Sequence, residues 1–196
     1  MIYLTRHGET EWNVARRFQG HQDSPLTERG RSQARAMGEL VRDLIRLGDA
    51  DDWRLVSSPL GRAWATANEI GRASGLTVEL DERLAEVSCG EWEGLLREDV
   101  IAEYGESLSG GELIFRGPGG ETYEEVLARV ESFLADLPPE PERRLVVVSH
   151  GASGRVLRGL YAGLPKHEVL TLDVPQDAIF RLVAGNIHRL ECEPVS

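Results

Sequence analysis

An arginine and a histidine stand where the first predicted strand of this chain ends. The segment "IYLTRHGETEWN" runs from four strand-forming residues directly into Arg6, His7 and Gly8. A second histidine, His150, follows the buried-strand pattern "RLVVVS" in the same way. Guanidinium groups suit bidentate contacts to phosphate, and an imidazole either donates to such an anion or attacks it as a nucleophile. These residue types at strand ends indicate chemistry on a phosphoryl group.

A further strand end contributes another guanidinium group. Arg62 lies in the first turn of the helix that we expect after "RLVSSP". Ligands of open parallel sheets bind outside the carboxyl ends of the strands, so the two arginines and two histidines are expected to converge there. These groups would repel one another unless an anion lay between them. The helix N-termini after Pro59 and after Gly151 would add backbone N–H donors for that anion.

The roles of individual side chains follow from the needs of phosphoryl transfer. Gly8 leaves room for close approach and an unusual turn beside His7, which favours His7 as the nucleophile and leaves His150 to stabilise charge. The leaving alkoxide needs a proton donor. Glu86, in the segment "RLAEVSCGEWEG", is the best placed carboxyl. Partial burial and a nearby phosphate would keep that carboxyl protonated.

Each of these residues, taken alone, also fits an ordinary role at the surface or at a strand end. Their common position after strands of one predicted sheet is what favours a site. The remaining histidines have no partner spacing and receive no role: His21, His167 and His188. Because no histidine pair shows HExxH spacing, we do not expect a catalytic zinc. We expect no cofactor.

Alternating strand and helix patterns predict an α/β fold. Short runs rich in β-branched residues predict buried strands at 2–5, 54–58, 76–80 and 144–149, with helical periodicity between them. The C-terminal pattern "AIFRLVAGNIHRLE" predicts two strands joined by a tight turn. We therefore expect one three-layer αβα domain over residues 1–196, with a mostly parallel central sheet and one antiparallel edge element.

Capping signals predict where three helices begin. Thr27, the pair Ser58-Pro59 and the capping box "TYEE" at 122–125 each precede apolar residues at helical spacing. Residues 93–121 lack such periodicity and predict a lid-like insertion that faces the substrate, or else a mobile loop. The apolar residues of this insertion favour a leaving group with an apolar face, unless they only pack the insertion down: Leu95, Leu96, Val100, Ile101, Leu108, Leu113, Ile114 and Phe115.

Composition limits the partners. The net charge of -11 argues against nucleic acid or an anionic membrane, whereas a small phosphorylated metabolite responds to the local field of a cleft. Cys89 and Cys192 lie far apart and are interpreted as reduced thiols. No apolar stretch is long enough to span a bilayer and no signal-peptide pattern opens the chain, so we expect a cytoplasmic protein. A homodimer is left open.

Several segments, in order along the chain, resemble the histidine phosphatase superfamily, the phosphoglycerate-mutase-like clan. They are "TRHGETEWN", "RFQGHQDSPLTERGRSQA", "SSPLGRAWATA", "RLAEVSCGEWEG", "GGETYEEV" and "VVVSHGASGR". The resemblance implies that His7 is phosphorylated during catalysis and that Glu86 is the acid that later activates water. It implies a phosphate pocket formed by Arg6, Arg62 and His150. It also implies that the Asn13 amide reaches the phosphoryl group, and that further substrate contacts come from Gln19 and Gly20. No metal or nucleotide is implied.

Two departures from the mutases of this clan favour hydrolysis. The mutases have Arg, His and Tyr after the acid glutamate, whereas this chain has Val87, Ser88 and Cys89. The segment 95–121 is also shorter and less basic than the mutase insertion. We therefore expect metal-independent phosphomonoester hydrolysis, as in the broad-specificity and alpha-ribazole phosphatases that the chain resembles. The alternatives are a phosphoglycerate mutase and, less favoured because all five site residues are present, a catalytically silent protein that binds phosphorylated ligands.

Overall fold

A computed structural model describes residues 1–46, 52–104 and 111–192. Its strands form a six-stranded sheet in the order β3-β2-β4-β1-β5-β6. They are β1 (Ile2–Arg6), β2 (Arg54–Ser57), β3 (Val78–Leu80), β4 (Leu145–Ser149), β5 (Ala178–Val183) and β6 (Asn186–Glu191). The first four are parallel to one another, and β5 and β6 form an antiparallel hairpin at one edge. The predicted mixed sheet is confirmed.

Helices cover both faces of this sheet. They are α1 (Glu11–Val14), α2 (Glu28–Arg46), α3 (Gly61–Ser74), α4 (Arg97–Tyr104), α5 (Tyr123–Ala135), α6 (Gly151–Ala162) and α7 (Lys166–Val169). Successive side chains of β4 point to opposite faces. Val146 and Val148 pack with α2 and α3, whereas Leu145 and Val147 pack with α5 and α6. This alternation produces the three layers that the sequence predicted.

Two of the three predicted helix starts are confirmed. Thr27 Oγ1 accepts from the backbone N–H of Gly30 at 3.0 Å, and Thr122 forms a complete capping box with Glu125. The third prediction is wrong. The helix α3 begins at Gly61 rather than at Pro59, and its N-cap residue, Leu60, has no side-chain capping bond.

The first N–H groups of α3 are instead capped from another part of the chain. The Asp23 carboxylate accepts from the backbone N–H groups of Gly61 and Arg62. Ser58 serves a different contact, because its hydroxyl lies 2.7 Å from His150 Nε2. The local pattern Ser-Pro was misleading because a long-range carboxylate replaced the local cap.

The insertion at 93–121 contributes α4 and a 3₁₀ turn at Leu113–Phe115. Val100 and Leu113 are buried in a small cluster with Phe18, Cys89 and Trp92, and Phe115 belongs to the main core. Leu95 and Ile101 are exposed. Several apolar residues of the insertion therefore pack it down, which weakens the inference of an apolar leaving group. Leu108 lies outside the described residues. No helix in the described ranges is both long and apolar enough to cross a membrane.

Candidate active site

The parallel pairing of β1 with β4 brings the two candidate histidines together. Arg6 is opposite Ser149 in this register, so His7 and His150 each follow directly on a paired residue. The backbone N–H of His7 donates to the Ser149 carbonyl oxygen at 3.1 Å. The centroids of the two imidazole rings are 5.2 Å apart. Both rings are buried at the carboxyl edge of the sheet, where the sequence predicted a site.

The surroundings of His7 suit a neutral nucleophile. Its Nδ1 lies 2.8 Å from the carbonyl oxygen of Gly8, which can only accept, so the ring proton is on Nδ1 and the lone pair is on Nε2. Burial, followed by the charges of Arg62 and Arg6, holds the pKa of His7 well below its ordinary value. His7 therefore stays unprotonated at neutral pH, as attack on phosphorus requires.

Gly8 is required by packing. A Cβ at Gly8 would lie 2.3 Å from the carbonyl oxygen of Gly30, at the start of α2. This confirms the close approach expected beside His7. The backbone N–H of Gly8 donates to Thr66 Oγ1 at 3.1 Å, which connects the segment after His7 to α3 as well.

His150 contacts a hydroxyl group instead of a carbonyl. Ser58 Oγ lies 2.7 Å from His150 Nε2 and also accepts from the backbone N–H of Leu60 at 3.3 Å. If the hydroxyl donates to Nε2, the proton of a neutral ring is on Nδ1, which is buried without a partner among the described residues. Burial, followed by the charge of Arg62, holds the pKa of His150 well below its ordinary value. His150 is thus placed to stabilise charge as a neutral donor.

Arg62 is held rigidly by one loop. The side chain is buried, and its Nη1 donates at 2.8 Å both to the carbonyl oxygen of Gln22 and to Asp23 Oδ1. Its Nη2 donates to the carbonyl oxygen of Gly20, also at 2.8 Å. The third nitrogen, Nε, is buried and has no partner in the described part of the chain. Three acceptors therefore fix the guanidinium plane and leave Nε as a donor for a ligand.

Arg6 shows the same arrangement with fewer acceptors. Its Nη1 donates to the carbonyl oxygen of Val174 at 2.8 Å, and its Nε is buried without a partner among the residues described. Burial lowers the pKa of Arg6 to about 10; Glu86 opposes this shift, and neighbouring arginines, including Arg97, add to it. Arg6 remains charged at neutral pH, and an anion beside it would relieve the repulsion.

Glu86 reaches the site but contacts backbone N–H groups that the sequence predicts as phosphate ligands. Its Oε2 accepts from the backbone N–H groups of Gly151 at 3.0 Å and Ala152 at 3.2 Å. Its Oε1 accepts from the backbone N–H groups of Ser153 and Val87, each at 3.0 Å. The N-terminus of α6 thus binds this carboxylate, as the N-terminus of α3 binds Asp23, because helix N-termini attract negative charge wherever it comes from.

Four backbone N–H groups therefore hold both oxygens of Glu86 in place beside the N-terminus of α6. The roles of this side chain as acid and as base stay predictions.

The residues expected to contact the substrate lie in different surroundings. Asn13 Oδ1 accepts from the backbone N–H of Thr10 at 3.1 Å and from Gln176 Nε2 at 2.9 Å, which fixes the side-chain amide. Gln19 is buried, and its Oε1 has no partner in the described ranges. Gly20 contributes its carbonyl oxygen to Arg62.

Several residues at the site were missed by sequence reasoning. Gln176 donates to the carbonyl oxygen of His7 at 3.2 Å in addition to Asn13. Asp23, Ser58 and His21, whose Nε2 lies 2.9 Å from the carbonyl oxygen of Glu86, were also missed. Ser58 follows a strand, as the chosen residues do, and could have been found by that signal. The others lie in loops whose paths only the tertiary structure reveals.

A cavity of about 130 Å³ adjoins Glu86 and Arg6, and two further arginines line it, Arg97 and Arg155. Arg155 Nε donates to the carbonyl oxygen of Leu172 at 2.6 Å, and Arg97 lies over the ring of Phe18 at 4.8 Å from its centroid. Among the described residues, no carboxylate forms a salt bridge with these arginines. Within the described ranges, no three His, Cys, Asp or Glu side chains are arranged to hold a metal ion.

Known proteins resemble this chain over most of its length. It is 38% identical over 168 residues to "Probable phosphoglycerate mutase GpmB" of Salmonella paratyphi C (strain RKS4594), covering 84% of this chain and 75% of that protein. The related protein of the same name from Enterobacter sp. (strain 638) is 37% identical over 185 residues, covering 92% of this chain and 83% of that protein.

Solved structures share the fold. A mycobacterial glucosyl-3-phosphoglycerate phosphatase complexed with VO3 matches with a TM-score of 0.78 at 30% identity, over 97% of this chain and 96% of that one. A candidate alpha-ribazole-5'-P phosphatase from Escherichia coli K-12 matches with a TM-score of 0.76 at 27% identity, over 97% and 95% of the two chains. Residues 2–188 match the profile of the histidine phosphatase superfamily (branch 1), and the chain belongs to that superfamily, as its motifs predicted.

Proposed function

We propose that this protein hydrolyses phosphomonoesters through a phosphohistidine formed on His7. One observation carries the proposal. Three buried nitrogens have no partners among the described residues: Arg6 Nε, Arg62 Nε and His150 Nδ1. They belong to two arginines whose charges act on His7 and to the histidine whose ring centroid is 5.2 Å from that of His7. Buried donors are normally satisfied, so these nitrogens are suited to a ligand with several acceptor oxygens. A transferring phosphoryl group is such a ligand, and fixed donors stabilise its charge in the transition state.

The proposed reaction proceeds in two displacements. His7 Nε2 attacks phosphorus, the bond from phosphorus to the ester oxygen breaks, and Glu86 donates its proton to the departing alkoxide. The Glu86 carboxylate then takes a proton from water, whose oxygen attacks phosphorus. The phosphorus–nitrogen bond breaks, inorganic phosphate leaves, and His7 returns to its neutral form.

The first experiment measures release of inorganic phosphate from a panel of phosphomonoesters in the presence of EDTA. The protein is compared with His7→Ala and with His167→Ala, a control at an exposed histidine. We expect turnover that survives EDTA, is abolished by His7→Ala and is unchanged in the control. Hydrolysis by His7→Ala at more than a few per cent of the normal rate would rule out the covalent route.

The acid role of Glu86 has its own test. Glu86→Gln should slow the hydrolysis of alkyl phosphates much more than that of activated aryl phosphates, because only poor leaving groups need protonation. The comparison uses kcat/KM for one substrate of each type. Equal losses for both substrates would assign the acid role to another group.

The arginines of the adjoining cavity favour a class of substrate. Arg97 and Arg155 lack carboxylate partners among the described residues and line the same cavity as Glu86, the proposed proton donor to the leaving group. Guanidinium groups bind carboxylate and phosphate well, which favours esters whose alcohol carries a second acidic group. In the panel, 3-phosphoglycerate should therefore be hydrolysed with a lower KM than alpha-ribazole phosphate or a neutral aryl ester. The reverse order would favour the alpha-ribazole type.

A phosphoglycerate mutase is the second candidate, favoured by the name of the curated relatives and by the same arginines. The replacement of Arg, His and Tyr by Val87, Ser88 and Cys89 disfavours it. Incubation with 3-phosphoglycerate and 2,3-bisphosphoglycerate distinguishes the two. Movement of phosphate between positions faster than its release would establish the mutase and contradict our proposal.

A further inference from the structure

Two loops contribute to the site: one binds the side chain of Arg62, and the other contains Glu86. Residues 20–23, here called the arginine loop, contribute all three acceptors that hold the Arg62 guanidinium group. Residues 86–89, here called the acid loop, begin with Glu86. Neither loop belongs to a helix or strand, so contacts other than regular backbone ladders must hold the loops in place.

The side chain of Glu93 joins these two loops. Its Oε1 accepts from the backbone N–H of His21 at 2.9 Å, and its Oε2 accepts from that of Gln22 at 3.2 Å, both in the arginine loop. In the acid loop, Oε1 accepts from the backbone N–H of Cys89 at 3.0 Å and from Ser88 Oγ at 3.2 Å. One carboxylate therefore satisfies donors of both loops.

The arginine loop is shaped around this carboxylate. Gly20 has a φ of +53°, and a Cβ built on it would lie 2.1 Å from Glu93 Oε1. Only glycine adopts this conformation readily and also leaves room for the carboxylate. A second link runs parallel to the first, because His21 Nε2 lies 2.9 Å from the Glu86 carbonyl oxygen.

We propose that Glu93 is a positioning residue that fixes the distance between Arg62 and Glu86. In the mechanism on which this inference rests, Arg62 binds the phosphoryl oxygens and Glu86 protonates the oxygen that leaves. Both groups act on one phosphorus–oxygen bond, so their separation must match the transition state. A misplacement of about 1 Å can lower a rate by roughly 100-fold. Glu93 itself does not touch the substrate.

The experiment compares Glu93→Ala and Glu93→Gln with Glu91→Ala, a control at an exposed glutamate in the same turn. We expect Glu93→Ala to lower kcat/KM for an alkyl phosphate by about 10- to 100-fold. The loss for an activated aryl phosphate should be several-fold smaller, since that ester needs little protonation. Glu93→Gln retains one acceptor oxygen and should fall between Glu93→Ala and the unmodified protein, whereas the control should match the unmodified protein.

The alkyl-to-aryl ratio with Glu86 present separates positioning from a merely structural role, and a double variant tests whether Glu93 acts through Glu86. In the Glu86→Gln background, Glu93→Ala should leave the alkyl-to-aryl ratio of kcat/KM unchanged, because the group that it positions is already lost. A structural role predicts lower thermal stability and equal losses for both substrates in either background. That result would overturn the inference. If Glu93→Ala does not fold, the same comparisons with Glu93→Gln decide the question.

Failure of the proposed function would be recognised separately. It would show as no phosphate release by the unmodified protein, or as equal release by His7→Ala. In that case, calorimetry measures the affinity for inorganic phosphate. This affinity tests whether Glu93 positions Arg62, and it requires no turnover. Weaker binding by Glu93→Ala and unchanged binding by Glu91→Ala would support the positioning role. Equal phosphate affinity in all three proteins would overturn it.

Discussion

His7 and His150 lie side by side, but their ring nitrogens meet different partners. His7 Nδ1 faces the carbonyl oxygen of Gly8 at 2.8 Å, and His150 Nε2 faces the Ser58 hydroxyl at 2.7 Å. A carbonyl oxygen only accepts, whereas a hydroxyl also donates. When the Ser58 hydroxyl donates to His150, both neutral rings carry their proton on Nδ1. In the proposed mechanism, His7 attacks phosphorus through Nε2 and His150 donates a hydrogen bond from Nδ1 to the phosphoryl group.

Ser58→Ala tests this assignment. Without the hydroxyl, the ring of His150 no longer has a fixed tautomer, so we expect kcat for an aryl phosphate to fall by about tenfold. The pH profile of kcat should shift as well, because the titration of His150 changes when its partner is lost. Steady-state kinetics between pH 5 and 9 measure both effects. A variant with lower thermal stability but an unchanged kcat and pH profile would contradict the assignment.

At the level of whole elements, the start of α2 packs directly against the backbone that follows His7. A Cβ at Gly30 would lie 2.0 Å from the carbonyl oxygen of Glu9, and a Cβ at Gly8 would meet Gly30 in turn. The two glycines thus allow α2 and the loop after His7 to approach at backbone distance. By contrast, a Cβ at Gly154 in α6 would meet nothing within 4 Å.

Gly30→Ala and Gly154→Ala are expected to have opposite effects. Gly30→Ala should destabilise the protein by about 1–3 kcal/mol and lower activity, since the backbone that would clash cannot move without moving His7. Gly154→Ala should stabilise it by about 0.5–1 kcal/mol through the helix propensity of alanine. Urea denaturation measures both free energies of unfolding. Equal effects of the two substitutions would show that the close approach at Gly30 is relaxed in solution.

For the whole molecule, the overall charge and the local charge have opposite signs. The chain carries a net charge of -11, yet Arg6, Arg62, Arg97 and Arg155 lie around one edge of the sheet. Clefts focus the local field, so an anionic ester can still be attracted to an acidic protein. Together with burial, Arg62 and Arg6 help to hold both histidines neutral, which links the charge of the site to the stability of the fold.

The stability of the fold should therefore depend on pH below about 6.5, the ordinary pKa of histidine. Burial and the arginines lower the pKa values of His7 and His150 in the folded protein. Below pH 6.5 the unfolded chain binds protons that the folded chain does not, so the free energy of unfolding falls as the pH is lowered. Each buried histidine contributes a slope of about 1.4 kcal/mol per pH unit.

Denaturation between pH 5 and 7 measures this slope. His150→Asn should lower this slope by about 1.4 kcal/mol per pH unit, which corresponds to one proton. His167→Asn, at an exposed position, should leave the slope unchanged. A slope that is the same in His150→Asn and in the unmodified protein would show that His150 is not held neutral in the folded state.

Local sequence patterns predicted most of the fold and part of the candidate site. Period-two and helical periodicities located the strands and most helices, because burial on one or both faces imposes them. The rule that strand ends meet at one edge then brought together Arg6, His7 and His150, which the register of β1 and β4 confirms. The motifs predicted the superfamily, which the match of residues 2–188 confirms.

Contacts between segments distant in the sequence determined the features of the site that local patterns did not predict. Sequence alone determined which residue types follow which strands, since backbone periodicity is a local property. Only the tertiary structure decided that the N-termini of α3 and α6 bind Asp23 and Glu86 rather than a phosphate, and that Glu93 joins two loops. Charged side chains in loops are drawn to whichever helix terminus or N–H donor the fold brings near, and no local pattern encodes that neighbour.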